Sequence, residues 1–262
     1  MDGFYRLSLP QLLCFQLLLL ALYSFTISAT SIDRLWRPAV ASWYGSPEGD
    51  GSTGGACGYG PMVETEPLMK GRVGAASPIL FKGGAGCGAC YKVKCLDKSI
   101  CSRKGVRVII TDECPGCPAL TQFDLSGAAF GTLAVPGERD QLRNRGIIPI
   151  IFRRASCFYP GKNVAFRVNE GSSPYWISLL VEFEGGDGDI GSMHIKEAGS
   201  NQWLEMTHSW GANWIMNGGP LKGPFSVKLT TLSSAKTHLA VDVIPKDWRT
   251  MDTYISRHNY FV

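Results

Sequence analysis

The sequence predicts a mostly-β protein in two parts, a small disulfide-bonded barrel followed by an immunoglobulin-like sandwich. Three observations carry this. Of nine cysteines, eight lie between 57 and 157 and the ninth is Cys14, so none follows residue 157. Five of the seven tryptophans (Trp176, Trp203, Trp210, Trp214 and Trp248) come after that point. Short strand-like runs broken by glycine fill both parts, with little helical periodicity. A chain of 262 residues suits one large or two ordinary domains. With 45% hydrophobic and 18% charged residues it has the composition of a folded protein.

Residues 1–30 read as a signal peptide. Arg6 precedes an apolar core from Leu12 to Tyr23, and small residues at Ser28, Ala29 and Thr30 mark a cleavage zone. The apolar run is shorter than the roughly 20 residues a membrane span needs. A secreted, extracellular chain without stable membrane insertion is therefore expected. The net charge of +4 is mild and comes with no Lys/Arg-rich run, which tolerates an acidic polysaccharide and argues against nucleic acid. Eight cysteines in a secreted chain read as disulfides. Cys87-x-x-Cys90 and Cys114-x-x-Cys117 also have zinc spacing. With no histidine nearby and an oxidising setting, neither a metal nor a cofactor is expected. About 105 pairings of eight cysteines remain open from sequence.

The first domain is placed at 31–157. It opens with the strand Val40-Ala41-Ser42-Trp43-Tyr44-Gly45, followed by the loop SPEGDGSTGGACGYG. Seven glycines between Gly45 and Gly60 exclude a helix there, so the loop must be tied down by a disulfide or a ligand. Further strands are predicted at 91–95, 106–111 and 147–153, with short helices near 125–131 and 138–143. Many short strands and few helices point to a small barrel. Pro160-Gly161 punctuates a short linker, 158–161.

The second domain is placed at 162–256. Strands are predicted at 163–169, 175–183, 190–196, 202–207, 213–216, 225–231 and 238–244, with Gly-Gly-Asp-Gly-Asp, Gly-Ser-Asn and Asn-Gly-Gly-Pro between them. Seven strands with regular turn signals suggest the sandwich. In 175–183, Tyr175, Ile177, Leu179, Val181 and Phe183 alternate as a core face. Trp176, on the half-polar opposite face with Ser178, Leu180 and Glu182, is expected at the surface, where a flat indole can meet sugar rings. Trp210 and Trp214 are four apart and would share a face of one extended strand; core and surface both stay open for them.

The stretch 106–131, VRVIITDECPGCPALTQFDLSGAAFG, carries the chemistry. A strand ends in Asp112, a Cys-Pro-Gly-Cys turn follows, and the chain returns through Gln122-Phe123-Asp124. Two acids at the ends of neighbouring elements can face each other across a cleft, and paired carboxylates are the equipment of glycoside hydrolysis. They are also common at solvated loop ends.

These pieces together resemble a plant expansin, of the β-expansin group. The matching stretches are Trp43-Tyr44-Gly45 with its glycine loop, GCGACYKVKC (86–95), ITDECPGC (110–117) and FDLSGAAFG (123–131). In the second half they are LLVEF (179–183), SWGANWIMN (209–217), LKGPFSVKLT (221–230) and DVIPKDW (242–248). The resemblance implies a double-psi β-barrel related to family-45 endoglucanases, then a polysaccharide-binding β-sandwich, and wall loosening without appreciable hydrolysis. It implies disulfides Cys57–Cys87, Cys90–Cys157 and Cys95–Cys101, leaving Cys114 and Cys117, which the Pro-Gly turn brings together. It implies cellulose and xylan-type matrix glycans as partners of a monomer in the plant cell wall.

By the same resemblance Asp124 corresponds to the acid of the related hydrolases. Their base, an aspartate just after the first strand's Tyr-Trp, has no counterpart in Trp43-Tyr44-Gly45-Ser46. Asp50 is the nearest carboxylate, in a loop unsuited to holding it rigidly. The usual His-Phe-Asp is Gln122-Phe123-Asp124 here, and glutamine cannot titrate near pH 6. Ser42 keeps the hydroxyl of the expected threonine. The expected roles are therefore Trp43 and Tyr44 lining a cleft, and Asp112 and Asp124 with Gln122 and Ser42 bonding sugar hydroxyls. Trp176, Trp210 and Trp214 would form a platform. No catalytic residue is assigned. The rivals are a weak endoglucanase using Asp124 with Asp50 or Asp112, and a structural, lectin-like binder.

Overall fold

The computed structural model describes residues 35–117 and 121–260. The expected signal peptide, 1–30, lies outside them. The first six strands are β1 (Arg37–Tyr44), β2 (Val73–Ala76), β3 (Cys90–Cys95), β4 (Val106–Glu113), β5 (Thr121–Ser126) and β6 (Ile148–Arg154). They close a barrel in the order β1-β5-β2-β4-β3-β6. The β1/β5 and β2/β4 pairs are parallel and the other four antiparallel. This is the double-psi barrel. Alternate residues fill it: Phe123 and Leu125 of β5, Val108 and Ile110 of β4, and Ile150 and Phe152 of β6 are buried. Tyr91, Phe123 and Phe152 meet edge to face with centroids 5.0–6.0 Å apart, the arrangement aromatic quadrupoles favour.

β2 is absent from the strand signals because Val73-Gly74-Ala75-Ala76 has neither alternation nor bulk. It lies between β5 and β4, buried at every position, where a strand reads as a run of small or apolar residues. Short helices α1 (Met62–Thr65), α2 (Pro78–Phe81), α3 (Gly127–Gly131) and α4 (Arg139–Asn144) fill the connections. The first two were not marked in the sequence. α3 starts two residues later than expected because Leu125 and Ser126 complete β5; the Ser126 hydroxyl then caps it, accepting from the Ala129 N–H at 3.2 Å. Four disulfides, Cys57–Cys87, Cys90–Cys157, Cys95–Cys101 and Cys114–Cys117, use all eight cysteines from 57 to 157, so none is free to bind zinc.

The second half holds β7 (Ala165–Val168), β8 (Trp176–Glu182), β9 (Ile190–Glu197), β10 (Leu204–Trp210), β11 (Asn213–Asn217), β12 (Phe225–Thr231), β13 (Thr237–Ile244) and β14 (Thr253–Ile255). All pairs are antiparallel, in the order β13-β12-β9-β10-β11-β8-β7-β14. β10 pairs with β9 at its start and β11 at its end, so the sheet folds over a core of Phe166, Leu179, Ile195, Trp214, Phe225 and Val227. The eighth strand, β14, is three residues long and gave no sequence signal.

The reading of β8 needs correction. Ile177, Leu179 and Val181 do face the core, but Tyr175 stands outside it, 62% exposed. Phe183, at a φ of 57°, turns to pack on the barrel's hydrophobic cluster. The opposite face is not solvent-facing. Ser178, Leu180 and Glu182 are buried, and Leu180 belongs to the barrel's own core. The barrel covers Leu180, the 169–172 turn covers Ser178 through Asn169 and Ser172, and the end of the face at Trp176 stays half-exposed.

The segment read as a turn, Gly-Gly-Asp-Gly-Asp (185–189), is buried in this seam. A Cβ on Gly88 would stand 2.4 Å from the Gly188 oxygen, and one on Gly188 2.3 Å from the Gly88 oxygen. Only two glycines allow the approach. Arg154, at the end of β6, donates to Asp189 Oδ2 (2.9 Å) and to the Asp187 carbonyl (2.8 Å). Ser233 Oγ also donates to Asp189 Oδ2 at 2.6 Å, and Ser234 to Asp187 Oδ2. Glu184 is buried beside them, and neither carboxylate oxygen has a fully formed hydrogen bond among the described residues. Burial, with Asp189 and Asp187 adding, pushes its carboxyl well above the usual range, against Arg154 and the Gly188 backbone. Lys162 Nζ meets Glu66 Oε2 at 2.8 Å across the same seam.

Candidate functional site

Four strands align a row of side chains. Register pairs Ser42 on β1 with Asp124 on β5, Asp124 with Ala75 on β2, and Ala75 with Asp112 on β4. Register partners project to one side of a sheet, so Ser42, Asp124, Ala75 and Asp112 stand side by side. Ala75 offers only a methyl group, which leaves the space between the carboxylates clear. Two strand spacings put the acid backbones roughly 10 Å apart.

Ser42 Oγ donates to Asp124 Oδ1 at 2.7 Å. Burial raises the Asp124 pKa, the Ser42 hydrogen bond opposes this, and the Asp112 charge adds to it. Gln122, two residues earlier on the same face of β5, is held by Ser77. The serine Oγ donates to Gln122 Oε1 at 2.8 Å, and its N–H to the Gln122 carbonyl at 3.0 Å. Tyr44, two residues beyond Ser42, faces the same side. Burial raises its phenol pKa, Asp112 and Asp124 add to this, and the Ser52 and Thr111 hydroxyls oppose it.

Asp112 has a second task. Its Oδ1 accepts from the Ala56 N–H at 2.7 Å and the Glu113 N–H at 2.8 Å, while the Cys57 N–H donates to the Thr111 carbonyl at 3.1 Å. A Cβ on Gly55 would stand 2.4 Å from the Thr111 oxygen, so glycine lets the loop lie flat on the end of β4. The Cys57–Cys87 bridge supplies the tether that so many glycines require.

Two expected members fall elsewhere. Asp50 is exposed and closes a turn on Ser46: the Asp50 N–H donates to Ser46 Oγ at 3.0 Å and Ser46 Oγ to Asp50 Oδ2 at 3.3 Å. Among the described residues no hydrogen bond ties it to the row. Trp43 does not line the cleft. Strand alternation turns it to the other face of β1 from Ser42 and Tyr44, where its indole N–H donates to the Arg143 carbonyl at 3.0 Å and its ring lies 6.4 Å from that of Phe130.

The tryptophans of the second half divide. Trp214, 5% exposed, is not part of a platform. It pairs with Leu179 and His208 in the sandwich core, its ring 5.0 Å from the imidazole. The expectation that it shares a face with Trp210 assumed one extended strand; the chain turns at Gly211-Ala212, and the two residues sit on β10 and β11. Trp210, 55% exposed, pairs with Asn213, Asn213 with Leu180, and Asn217 with Trp176. Trp210 and Trp176 therefore share one face, with Ile215 and Ser178 between them.

Trp210 also reaches the barrel. A Cβ on Gly58 would stand 2.7 Å from Trp210 Cη2, so the glycine loop rests against the edge of the indole. The Ala212 N–H donates to the Cys57 carbonyl at 3.0 Å. Asn213 holds the turn: its Nδ2 donates to the Trp210 carbonyl at 3.2 Å, and its Oδ1 accepts from Asn169 at 2.8 Å. Ala75, Gly58 and Asn213 were missed from sequence. Only Gly58 left a trace, inside a glycine run expected to be tied down by a disulfide or a ligand. Acid row and indole face thus adjoin through Ala56, Cys57 and Gly58. Among the described residues no cluster of acidic, histidine or cysteine side chains could hold a metal ion, and no helix is long and apolar enough to cross a membrane.

Comparison with known proteins agrees with this architecture. Residues 164–245 match the family described as Expansin C-terminal domain, and 73–152 match a double-psi barrel family described as Lytic transglycolase. The chain is 68% identical to Expansin-B3 of Arabidopsis thaliana over 226 residues, 86% of this chain and 85% of that one. It is 63% identical to Expansin-B16 of Oryza sativa subsp. japonica over 232 residues, 87% and 85% of the two. Among solved structures it superposes on the apo expansin of Clavibacter michiganensis with a TM-score of 0.67 at 26% identity, over 87% of this chain and all of that one. A point mutant of that protein in complex with cellohexaose gives 0.66. A chain so similar to these proteins in sequence, barrel and sheet belongs to the expansin family, in the β-expansin group of plants.

Proposed function

We propose that this protein loosens the plant cell wall by holding polysaccharide along the acid row and the indole face together, weakening contacts between matrix glycans and cellulose without cutting either. Membership of the expansin family supports wall loosening in general and an absence of appreciable hydrolysis. The mode of binding is our reading. Its main support is the engagement of Asp112, whose Oδ1 is taken by two backbone N–H groups that fix the glycine loop. Such a carboxylate is a structural anchor with a free second oxygen for sugar hydroxyls, and a poor base for driving water. Asp124, bonded to Ser42, presents its other oxygen to the same groove, and an ionised carboxylate accepts hydroxyls strongly. Trp210 and Trp176 add apolar area for sugar rings. The cellohexaose complex of the bacterial relative supports a glucan as ligand.

One observation favours the hydrolytic alternative. Asp124 is raised in pKa, as a general acid must be, and a backbone separation of roughly 10 Å is compatible with an inverting pair. Wall extension under load and soluble reducing ends, measured on one sample, separate the readings. Extension without new ends is the expected outcome for wild type and for Gln122→His. Trp210→Ala should weaken binding to insoluble polysaccharide by about 1–3 kcal/mol, on the scale of aromatic stacking, with little change in melting. Reducing ends that rise in wild type and vanish in Asp124→Asn would make Asp124 a general acid.

A further inference from the structure

The outer wall of the barrel carries a row of cations with no carboxylate partner among the described residues. Register pairs Arg107 on β4 directly with Lys92 on β3, and Lys92 directly with Arg153 on β6. Lys94 follows two residues along on the same face of β3, while Tyr91, Val93 and Cys95 point inward and are buried. Like charges placed directly opposite each other across strands destabilise a sheet, and here the pairing occurs twice in succession. None of the four takes part in an ion pair among the described residues. Among the described residues Lys92 Nζ finds the Gly105 carbonyl, at 3.0 Å, and no other acceptor, and the buried Nε of Arg153 has no partner. The nearest sequence carboxylate, Asp97 just past β3, is held by Ser99 and Arg145. Burial, then Arg107, Lys94 and Arg153, hold the Lys92 ammonium below its usual pKa.

An indole completes the row. Trp36, one residue ahead of β1 and 37% exposed, carries Lys94 Nζ and the Arg153 guanidinium over its ring, 4.8 and 5.0 Å from the centroid. An exposed indole with two cations held over its ring suits a particular chemistry, a sugar ring bearing a carboxylate. The pyranose C–H face can lie on the indole, and guanidinium groups match carboxylates two bonds at a time. The spacing of about 5 Å between strands repeats the cation along the row, as a polymer with regularly placed charges requires.

We infer that Trp36, Arg153, Lys92, Lys94 and Arg107 form a binding surface for a uronate-bearing matrix polysaccharide, separate from the acid-lined cleft. Arg107 precedes Asp112 by five residues on β4, roughly 17 Å along the strand, so the two surfaces do not share a side chain. The cleft can therefore hold a neutral glucan while the outer wall holds the protein to an anionic polymer.

Affinity electrophoresis of the whole mature protein through polygalacturonate and, in parallel, neutral arabinoxylan tests this. Retardation by polygalacturonate is expected at low ionic strength and should be lost near about 0.5 M salt, where the screening length falls to a few ångströms. Arg107→Gln with Arg153→Gln should weaken it roughly tenfold, and Trp36→Ala a few-fold, while Asp124→Asn leaves it unchanged. The double variant should melt at the wild-type temperature or above it, since it removes two repulsive cross-strand pairs. A lower melting temperature would show the row to be a packing element and overturn the inference. So would equal retardation of wild type and double variant, stronger retention on the neutral polymer, or an oligonucleotide binding as tightly as polygalacturonate. Loss of glucan binding in Asp124→Asn with polygalacturonate binding intact would separate the two surfaces directly.

Discussion

The protein removes carboxylates from water in two places and treats them in opposite ways. In the seam, Asp189 is spent on Arg154 and Ser233, Asp187 on Ser234, and Glu184 is sealed off with no full partner. In the cleft, Asp124 and Asp112 each keep one oxygen bonded to the protein and remain partly exposed. The seam has used its acceptors to join barrel and sandwich. The cleft has acceptors left over. On the proposed reading, the cleft acids differ from the seam acids in their unspent hydrogen-bonding capacity, not in their charge.

The comparison is most sharply broken at Arg154. Arg154→Met leaves the Asp189 carboxylate buried without its cation and the Asp187 carbonyl without its donor, and should cost about 3–5 kcal/mol of stability, read as a shift in denaturant midpoint. Polysaccharide binding per folded molecule should survive, because no cleft residue contacts Arg154. Loss of binding with full stability would mean that the seam serves the ligand.

Glu184→Gln should act the other way. A carboxyl whose folded pKa is raised contributes its full stability below the unfolded value, near 4, and loses it as pH rises through the folded pKa. The amide removes that loss. Melting followed against pH should show little difference at pH 3 and a gain of about 1–3 kcal/mol at the alkaline end. A flat difference across the range would mean Glu184 is no more than packing.

Asp124→Asn should show the same sign on a smaller scale, since its carboxyl is only half-buried and shares a hydrogen bond with Ser42. A gain below about 1 kcal/mol near neutrality, together with weaker polysaccharide binding, is the pattern of a residue kept for function. Equal or larger stabilisation than in Glu184→Gln would erase the distinction between the two groups of acids.

Sequence reading reached the strands β1, β4 and β8 and the acids Asp112 and Asp124. A two-residue period places Asp124 opposite the buried Phe123 and Leu125, whereas Asp112 joins it only through the register shift between β2 and β4 after Ile110. It could not reach β2, whose Gly74 and Ala75 carry no pattern yet stand between the acids. Trp214 was out of reach for a different reason: its face depends on a two-residue turn after Trp210 that spacing cannot reveal. The burial of Leu180 depends on the barrel docking over it, a long-range event without local signature. Trp43 shows the cost of carrying a motif over as a unit, since neighbours on a strand face opposite ways.

The contact of Gly58 with Trp210 gives the molecule a mechanical character. A chain pulling on that indole bears at once on Gly58, then Cys57, which is bridged to Cys87, and Ala56, whose N–H is bound to Asp112. Between the outermost ring and the floor of the cleft there is no spacer to stretch. Tension in a bound polymer would therefore be transmitted as through a stiff lever, with the cross-linked glycine loop as its fulcrum.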